Sequence, residues 1–377
     1  VKVALVHDWL TGTRGGEKVL LSLARLFPGA PLYTLFHFPG SVPPEVEDRP
    51  VRTTWLQRVV SRDRDYRSLL PLYFLAAESW DLSGFDLVIS SSHCVAKAAK
   101  RGPGGFHLCY CHTPVRYLHD QFGDYLRGRG PLVTAAARLV RAPLRARDVA
   151  TVPRVDAFLA NSENVRGRIA RIYRRDARVV PAPVDTAFYT SAAAPRRREG
   201  LLVVSALAPY KRLDDAVEAS SSLGLPLTIA GFGPEERRLR AVAGPNVRFA
   251  GSPSDEELRE LYRSAEVVLM PGEEDFGIVP LEAQACGTPV VALGKGGALE
   301  TVVDGTTGVL YSEAGPVPLA RAIEHARTMR FDTDTLVANA RRFSEPAFRA
   351  RFLAAARSAL ADAGRDDLAS ALPGAEP

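Results

Sequence analysis

The sequence has no long apolar run. Its longest stretches, residues 201–208 and 289–293, are strand-sized and far short of the ~20 residues that a membrane-spanning helix needs. Cysteine is scarce. Cys94, Cys109, Cys111 and Cys286 are too few and too unevenly placed for a disulfide framework. Cys109 and Cys111 would share a strand face with His107, but no CxxC spacing accompanies them. The three read as packed side chains and reduced thiols, with no metal site. There is no GxGxxG fingerprint and no GK[ST] of a P-loop, which argues against dinucleotide binding and ATP hydrolysis. Zinc-finger, RNP-type and helix-turn-helix signatures are missing too, so nucleic acid is not an expected partner. No basic and apolar leader precedes the strand read at the first residues. The expected compartment is the cytoplasm.

What is present is ordinary for a globular protein. The 377 residues are 46% hydrophobic and 24% charged, enough for two α/β domains. A net charge of +5, carried largely by arginine, suits nucleotide phosphates or an anionic membrane surface. Residues 1–7, 85–90, 105–111 and 157–160 read as buried strands, and Val19, Leu20, Leu23 and Leu26 recur at helical spacing. A Pro-, Arg- and Ala-rich stretch, 181–200, reads as a linker. Beyond it, strands at 201–206, 226–230, 246–250, 266–270 and 289–292 alternate with helices near 213–223, 234–242, 255–264 and 279–286. Ser254 and Glu257 have the spacing of a capping box.

Alternation of this kind implies parallel sheets. The expected fold class is α/β, with two Rossmann-like doubly wound domains facing across a cleft and ligands bound beyond the C-terminal strand ends. The domains are expected at 1–190 and 191–345. Residues 346–377 are expected to form a helix packing back on the first domain, then a frayed tail.

Four constellations can carry chemistry. Residues 271–290 read PGEEDFGIVPLEAQACGTPV: a strand end, an acidic loop, then a helix with Pro280 in its first turn. Backbone N–H groups of Phe276, Gly277, Ile278 and Val279 are left as donors at that helix start, suited to sugar hydroxyls or phosphate. Glu274 and Glu282 are expected near the same mouth, although a solvated turn and a helix-dipole role would explain them as well. At Ser205–Leu213 a second strand feeds a loop and helix, with Lys211 and Arg212 at the turn; a cation there can neutralise a departing diphosphate. Gly15 and Gly16, after the first strand, let backbone approach a ligand closely, or make a plain tight turn. His112 ends a strand, where it can bond a sugar hydroxyl or be a satisfied structural histidine.

Together these residues resemble glycosyltransferase family 4, the retaining transferases of GT-B fold. The resemblance runs through Val6-His-Asp-Trp-Leu, Gly15-Gly16-x-Lys18, His112-Thr-Pro, Asn161-Ser-Glu, Pro183-Val-Asp185, Lys211, Glu274-x-Phe276-Gly277, Glu282-Ala, Gly287-x-Pro289-Val and Gly296-Gly-x-x-Glu300-Thr. Within the family the chain is most similar to bacterial mannosyltransferases of polysaccharide and glycolipid assembly. The resemblance implies that Glu274 holds the donor sugar, with backbone at Phe276–Ile278 helping. It implies that Glu282 binds the ribose, Lys211 meets the departing diphosphate, Gly16 adds a backbone N–H beside it, and His112 contacts the sugar. It implies a hexose donor, GDP-mannose by likeness, used without a metal ion or other cofactor. Transfer would retain configuration by same-face attack, so positioning and charge stabilisation carry the catalysis.

One position departs from the family. Ala206 stands five residues before Lys211, where the family often has arginine, and a guanidinium clamp for phosphate is lost. Arg212 is the expected substitute. The departure leaves a non-catalytic or weakly active partner protein as an alternative, beside a nucleotide-sugar epimerase of the same fold and a two-carboxylate glycosidase. For the acceptor, a glycan, glycolipid or small molecule is expected. Residues 131–147 carry Arg138, Arg141 and Arg145 against Leu132, Leu139 and Val140, and residues 55–73 mix arginines with apolar side chains. Both are read chiefly as core-facing helices with solvated charge, and alternatively as a reversible contact with the anionic inner face of the plasma membrane.

Overall fold

Two separate runs of strand and helix form two separate parallel sheets. The computed structural model describes residues 1–61, 66–120, 122–123, 130–193 and 197–374. They divide into unit 1, Val1–Pro183 with Phe348–Pro377, and unit 2, Val184–Ala347. The chain thus crosses into unit 2 at 183/184, seven residues before the expected boundary, and returns at 347/348.

In unit 1 the strands are β1 (Val3–His7), β2 (Leu32–Thr34), β3 (Val51–Thr53), β4 (Leu87–Ser92), β5 (Phe106–Cys111), β6 (Ala157–Ala160) and β7 (Ala177–Val179). They pair in the order β3-β2-β1-β4-β5-β6-β7, parallel throughout. β4 and β5 are buried along their whole length, as central strands of a parallel sheet covered on both faces are. The helices used below are α1 (Gly15–Leu26), α2 (Leu70–Ala77), α3 (Pro131–Ala150) and α4 (Glu163–Tyr173). On α1 the four apolar residues picked out by spacing are all buried. A buried ion pair ties α3 to the segment after β4: Lys97 Nζ lies 2.8 Å from Asp148 Oδ1 and donates to Thr151 Oγ1 at 2.6 Å.

Unit 2 contains β8 (Leu201–Val204), β9 (Leu227–Ala230), β10 (Val247–Gly251), β11 (Val267–Met270), β12 (Val290–Leu293) and β13 (Gly308–Tyr311), ordered β10-β9-β8-β11-β12-β13. Its helices include α5 (Leu213–Ser222), α6 (Glu236–Val242), α7 (Asp255–Ser264), α8 (Ile278–Ala285), α9 (Pro316–Thr328) and α10 (Thr333–Arg341). The capping box forms as its spacing predicts: Glu257 N–H donates to Ser254 Oγ at 3.2 Å, and Ser254 N–H to Glu257 Oε2 at 2.8 Å. In each sheet the strand order reverses once, between β1 and β4 in unit 1 and between β8 and β11 in unit 2. These are the switch points where open α/β sheets leave a crevice at the C-terminal strand ends.

The last long helix, α11 (Glu345–Asp362), starts in unit 2 and lies in unit 1 from Phe348 onward. Phe348 and Phe352 have no exposed surface, their rings 5.8 Å from Tyr110 and 6.5 Å from Phe27. The expected frayed tail is a correction. α12 (Asp366–Ser370) follows, Leu368 and Leu372 are buried, and Arg365 Nη1 donates to Gly104 O at 2.6 Å. Two buried leucines and a carbonyl partner give the segment a reason to fold. No described helix is long and apolar enough to cross a membrane.

Candidate active site

The switch point of unit 2 brings together the two loops that carry Lys211 and Glu274. β8 runs into a short turn at Pro209–Lys211 before α5, and β11 runs into the acidic loop before α8. Lys211 Nζ and Glu274 Oε1 form an ion pair, half-buried. The loops touch at Gly272, where an added Cβ would stand 2.8 Å from both Lys211 Cα and Tyr210 O. A side chain at 272 would push the loops apart. Gly277 caps α8 with φ +95°, a left-handed value that favours glycine. Among the described residues, the N–H groups of Phe276, Gly277 and Ile278 have no hydrogen-bond partner, so the donors expected at this helix start are present. Phe276 itself is buried, its ring 5.8 Å from Phe343, and anchors the loop from below.

Two expected members of this group are engaged by other side chains. Glu282 is 3% exposed and accepts from Tyr262 Oη at 2.8 Å, so it is held against α7. Its position one turn into α8 puts it on the packed face of that helix. Arg212, expected to replace the missing guanidinium, has φ +54°, and its Nε donates to Asp215 Oδ2 at 2.7 Å. Hydrogen bonding to that carboxylate raises the Arg212 pKa. Asp215 is a competitor for this guanidinium, three residues on in α5. Ala206 is exposed.

At the switch point of unit 1 a second cluster has formed. Gly16, in the first turn of α1, lies against two rings: an added Cβ would be 3.5 Å from His7 Cε1 and 3.8 Å from His112 Nε2. Gly15 opens the helix beside it. His112 Nε2 is bonded to Ser91 Oγ (2.8 Å), which is bonded in turn to His7 Nδ1 (3.1 Å). Below them Asp8, fully buried, accepts four backbone N–H groups, those of His93, Cys94, Val95 and Ala96, at 2.6–2.9 Å. It also meets His93 Nδ1 at 3.0 Å. Burial opposes its ionisation, but His93 and these hydrogen bonds win and hold the carboxyl far below the usual range. Burial likewise works against the His93 proton, and Asp8 overrides it, lifting the His93 pKa above the ordinary 6.5. His112 goes the other way. Burial, then the charge of His93 and His7, pushes it down to about 3, so it is neutral at physiological pH and can donate or accept.

The thiols and His107 form no such cluster. Cys109 and Cys111 pack with Phe158 and Val165, and both His107 nitrogens are engaged, by Ser90 Oγ at 2.8 Å and Arg154 O at 3.0 Å. Among the described residues no three His, Cys, Asp or Glu side chains gather as metal ligands would.

The chain is similar to known proteins in sequence and in fold. A family model described as Glycosyltransferase Family 4 matches residues 13–188, and one described as Glycosyl transferases group 1 matches residues 190–343. Each match spans under half of the chain, and the two lie one after the other along it. The D-inositol 3-phosphate glycosyltransferase of Geodermatophilus obscurus is 32% identical, over 65% of this chain and 64% of that protein. The enzyme of the same name from Salinispora arenicola is 29% identical over 86% of this chain and 82% of its own length. The chain thus matches a little under two thirds of the Geodermatophilus protein. Among solved structures, HepE of Anabaena in complex with UDP has a TM-score of 0.70 at 18% identity, covering 95% of this chain and all of that one. Sucrose-phosphate synthase of Thermosynechococcus elongatus has 0.71 at 18%, covering 96% and 100%. At these identities the likeness is one of fold, and it is the GT-B fold of two Rossmann-like domains.

For this GT-B chain, sequence reasoning missed His7, Asp8, Ser91 and His93. Two of them, His7 and Asp8, lie in the opening Val6-His-Asp-Trp-Leu, whose pattern in the sequence marks only a resemblance. A buried aspartate directly after a parallel strand was the available signal, because it needs several donors to be tolerated there.

Proposed function

We propose that the chain transfers a hexosyl group from a nucleoside-diphosphate sugar to a hydroxyl acceptor with retention of configuration. The observation that carries this reading is the Lys211–Glu274 pair at the adjacent ends of β8 and β11, beside the unpartnered N–H groups of Phe276, Gly277 and Ile278. An arriving donor exchanges the pair for better partners: Lys211 turns to the diphosphate and Glu274 to a sugar hydroxyl. The bond from the anomeric carbon to phosphate oxygen breaks as the bond to the acceptor oxygen forms on the same face. The departing phosphate takes the acceptor's proton. Lys211 and the helix N–H groups then act where charge develops, and activity should persist in EDTA. His112 and Gly16 of unit 1 are assigned to contact with the transferred sugar and its phosphate; with Nε2 bonded to Ser91, His112 would meet a ligand through Nδ1.

GDP-mannose is the donor suggested by the mannosyltransferase resemblance. The solved neighbours of similar fold include complexes with UDP and UDP-glucose, and the relatives are named for D-inositol 3-phosphate. The test supplies each nucleotide sugar with inositol phosphate or a lipid-linked glycan and follows release of nucleoside diphosphate. Acceptor-dependent release supports transfer, and conversion of the donor sugar alone would indicate an epimerase. No turnover with any pair would favour a non-catalytic partner, for which Ala206 and the engaged Arg212 speak.

We place the chain in the cytoplasm and in reversible contact with anionic membrane through unit 1. The core-facing reading of residues 131–147 fails for Leu139, which is 80% exposed, and Val140 is exposed as well; the side chain of Leu132 lies outside the described residues. Arg141 is the inward one, donating to Leu118 O and His119 O, while Arg138 and Arg145 are exposed. α2 packs against α3 and adds exposed Leu72 and Leu75, with Trp55, Arg58 and Val59 exposed nearby in sequence. Apolar side chains among arginines suit an interfacial site. Absence of binding to phosphatidylglycerol vesicles at low salt would refute the contact.

A further inference from the structure

The loops at the C-terminal ends of β8 to β13 carry three cationic residues, Lys211, Arg212 and Lys295, against the acidic Glu235, Glu273, Glu274, Asp275 and Glu313. Such an edge is an unfavourable place for a diphosphate unless its cations are free to turn to it. Two of the three are engaged. Lys211 pairs with Glu274, and Arg212 with Asp215. Lys295 is exposed and, among the described residues, its ammonium has no carboxylate or hydrogen-bond partner. It sits in Gly294–Gly297, the loop after β12, and the strand order β8-β11-β12 puts its loop next to the one that carries Glu274.

That neighbourhood is built, and it is not a chance of the strand order. Glu274 pairs with Gly296 in an isolated β-bridge, and Gly297 N–H donates to Glu274 O at 2.8 Å. Gly297 also stands so close to the acidic loop that an added Cβ would be 2.1 Å from Phe276 O. The residue before this stitched pair is Lys295. Its flexible four-carbon stem therefore starts beside the backbone of the carboxylate that holds Lys211, and it ends in a mobile point charge.

We propose that Lys295 is a second diphosphate-binding cation of this GT-B chain, supplying from the loop after β12 a positive charge that Ala206 does not. The assignment rests on the nucleotide-diphosphate reading of the Lys211–Glu274 group. When the donor separates Lys211 from Glu274, Lys295 supplies the charge that Ala206 lacks and Arg212 withholds. The ligand class is a nucleoside diphosphate, recognised through its phosphates, so nucleoside binding is unaffected.

The test is calorimetric titration of the whole chain, in EDTA, with UDP, GDP and their nucleosides, for wild type, Lys295→Ala, Lys295→Arg and Lys211→Ala. The expected result is a ~5–30-fold weaker affinity of Lys295→Ala for the diphosphate, the size of one charge-assisted contact. Nucleoside affinity should stay unchanged, and Lys295→Arg should bind the diphosphate nearly as wild type does. The loss should shrink as salt is raised. If wild type binds a diphosphate and Lys211→Ala weakens it, while Lys295→Ala binds like wild type, the role of Lys295 is overturned and the site stands. If wild type binds neither diphosphate, the underlying reading falls instead. Equal loss of nucleoside and diphosphate in Lys295→Ala would mean a displaced loop and would also overturn the proposal; unchanged circular dichroism and melting exclude unfolding as a cause.

Discussion

Asp8→Asn is the substitution whose cost unit 1 fixes most closely. Oδ2 accepts the His93 and Cys94 N–H groups at 2.7 and 2.9 Å, and Oδ1 those of Val95 and Ala96 at 2.6 and 2.7 Å. An amide keeps one oxygen and turns its NH2 onto two N–H donors in a site with no exposed surface. Two charge-assisted bonds are lost, at about 1.5–3 kcal/mol each, so the expected loss is about 3–6 kcal/mol. The three tryptophans, Trp9, Trp55 and Trp80, all lie in unit 1, so tryptophan fluorescence during urea unfolding follows this unit. With a slope of about 2 kcal/mol per molar urea, the midpoint should fall by roughly 1.5–3 M. The pH dependence has a definite sign. The Asp8 pKa is depressed below the ordinary 3.8, so its contribution is present above about pH 4 and is lost as pH falls toward the folded value. Asparagine has nothing to lose there, and wild type and variant should converge on acidification. A cost below about 1 kcal/mol at pH 7, or a gap that does not narrow in acid, would refute the account of this carboxylate.

Other consequences can be checked in the same preparations. Glu274→Ala should lower turnover by at least about 100-fold, as loss of a transition-state contact does; a rate near wild type would remove Glu274 from the site. Gly272→Ala should weaken nucleotide binding by about 10-fold or more, because a Cβ 2.8 Å from Lys211 Cα separates the loops; unchanged affinity would show that the loops need not touch. His107 is fully buried and its pKa is lowered to about 4 by burial. The unfolded chain therefore binds the extra proton first, and unit 1 should lose about 3 kcal/mol between pH 6.5 and pH 4. Fluorescence-detected unfolding across that range should show the slope in wild type and less of it in His107→Gln; identical slopes would exclude His107 as the cause.

Much of the fold was legible because its central strands are buried on both faces and carry short clusters of apolar residues. That holds for β1, β4, β5 and β6, and for β8, β9, β11 and β12. β2, β3 and β7 are three residues long, too short to show any period, and they are recognisable only once β1 and β6 offer edges to pair with. The tail was misjudged because polar residues outnumber Leu368 and Leu372 there, and burial of just those two leucines decides its order. In the candidate site, Lys211, Glu274 and the helix start of α8 were legible as candidates because each belongs to a loop or helix that a strand feeds. The partners of Glu282 and Arg212 were not legible, for one shared reason. Sequence spacing gives the turn of a helix on which a side chain sits, but not the neighbour that claims it, here Tyr262 and Asp215. Asp8 and His93 lie 85 residues apart, and only the adjacency of β1 and β4 joins them.

The central claim is that unit 2 recognises a diphosphate through Lys211. It is tested most directly by measuring UDP, GDP, uridine and guanosine affinities for wild type and Lys211→Ala. The account predicts that the variant loses about 30-fold or more for the diphosphate that wild type prefers and nothing for the matching nucleoside. An equal loss for both, or no loss for either, would contradict it.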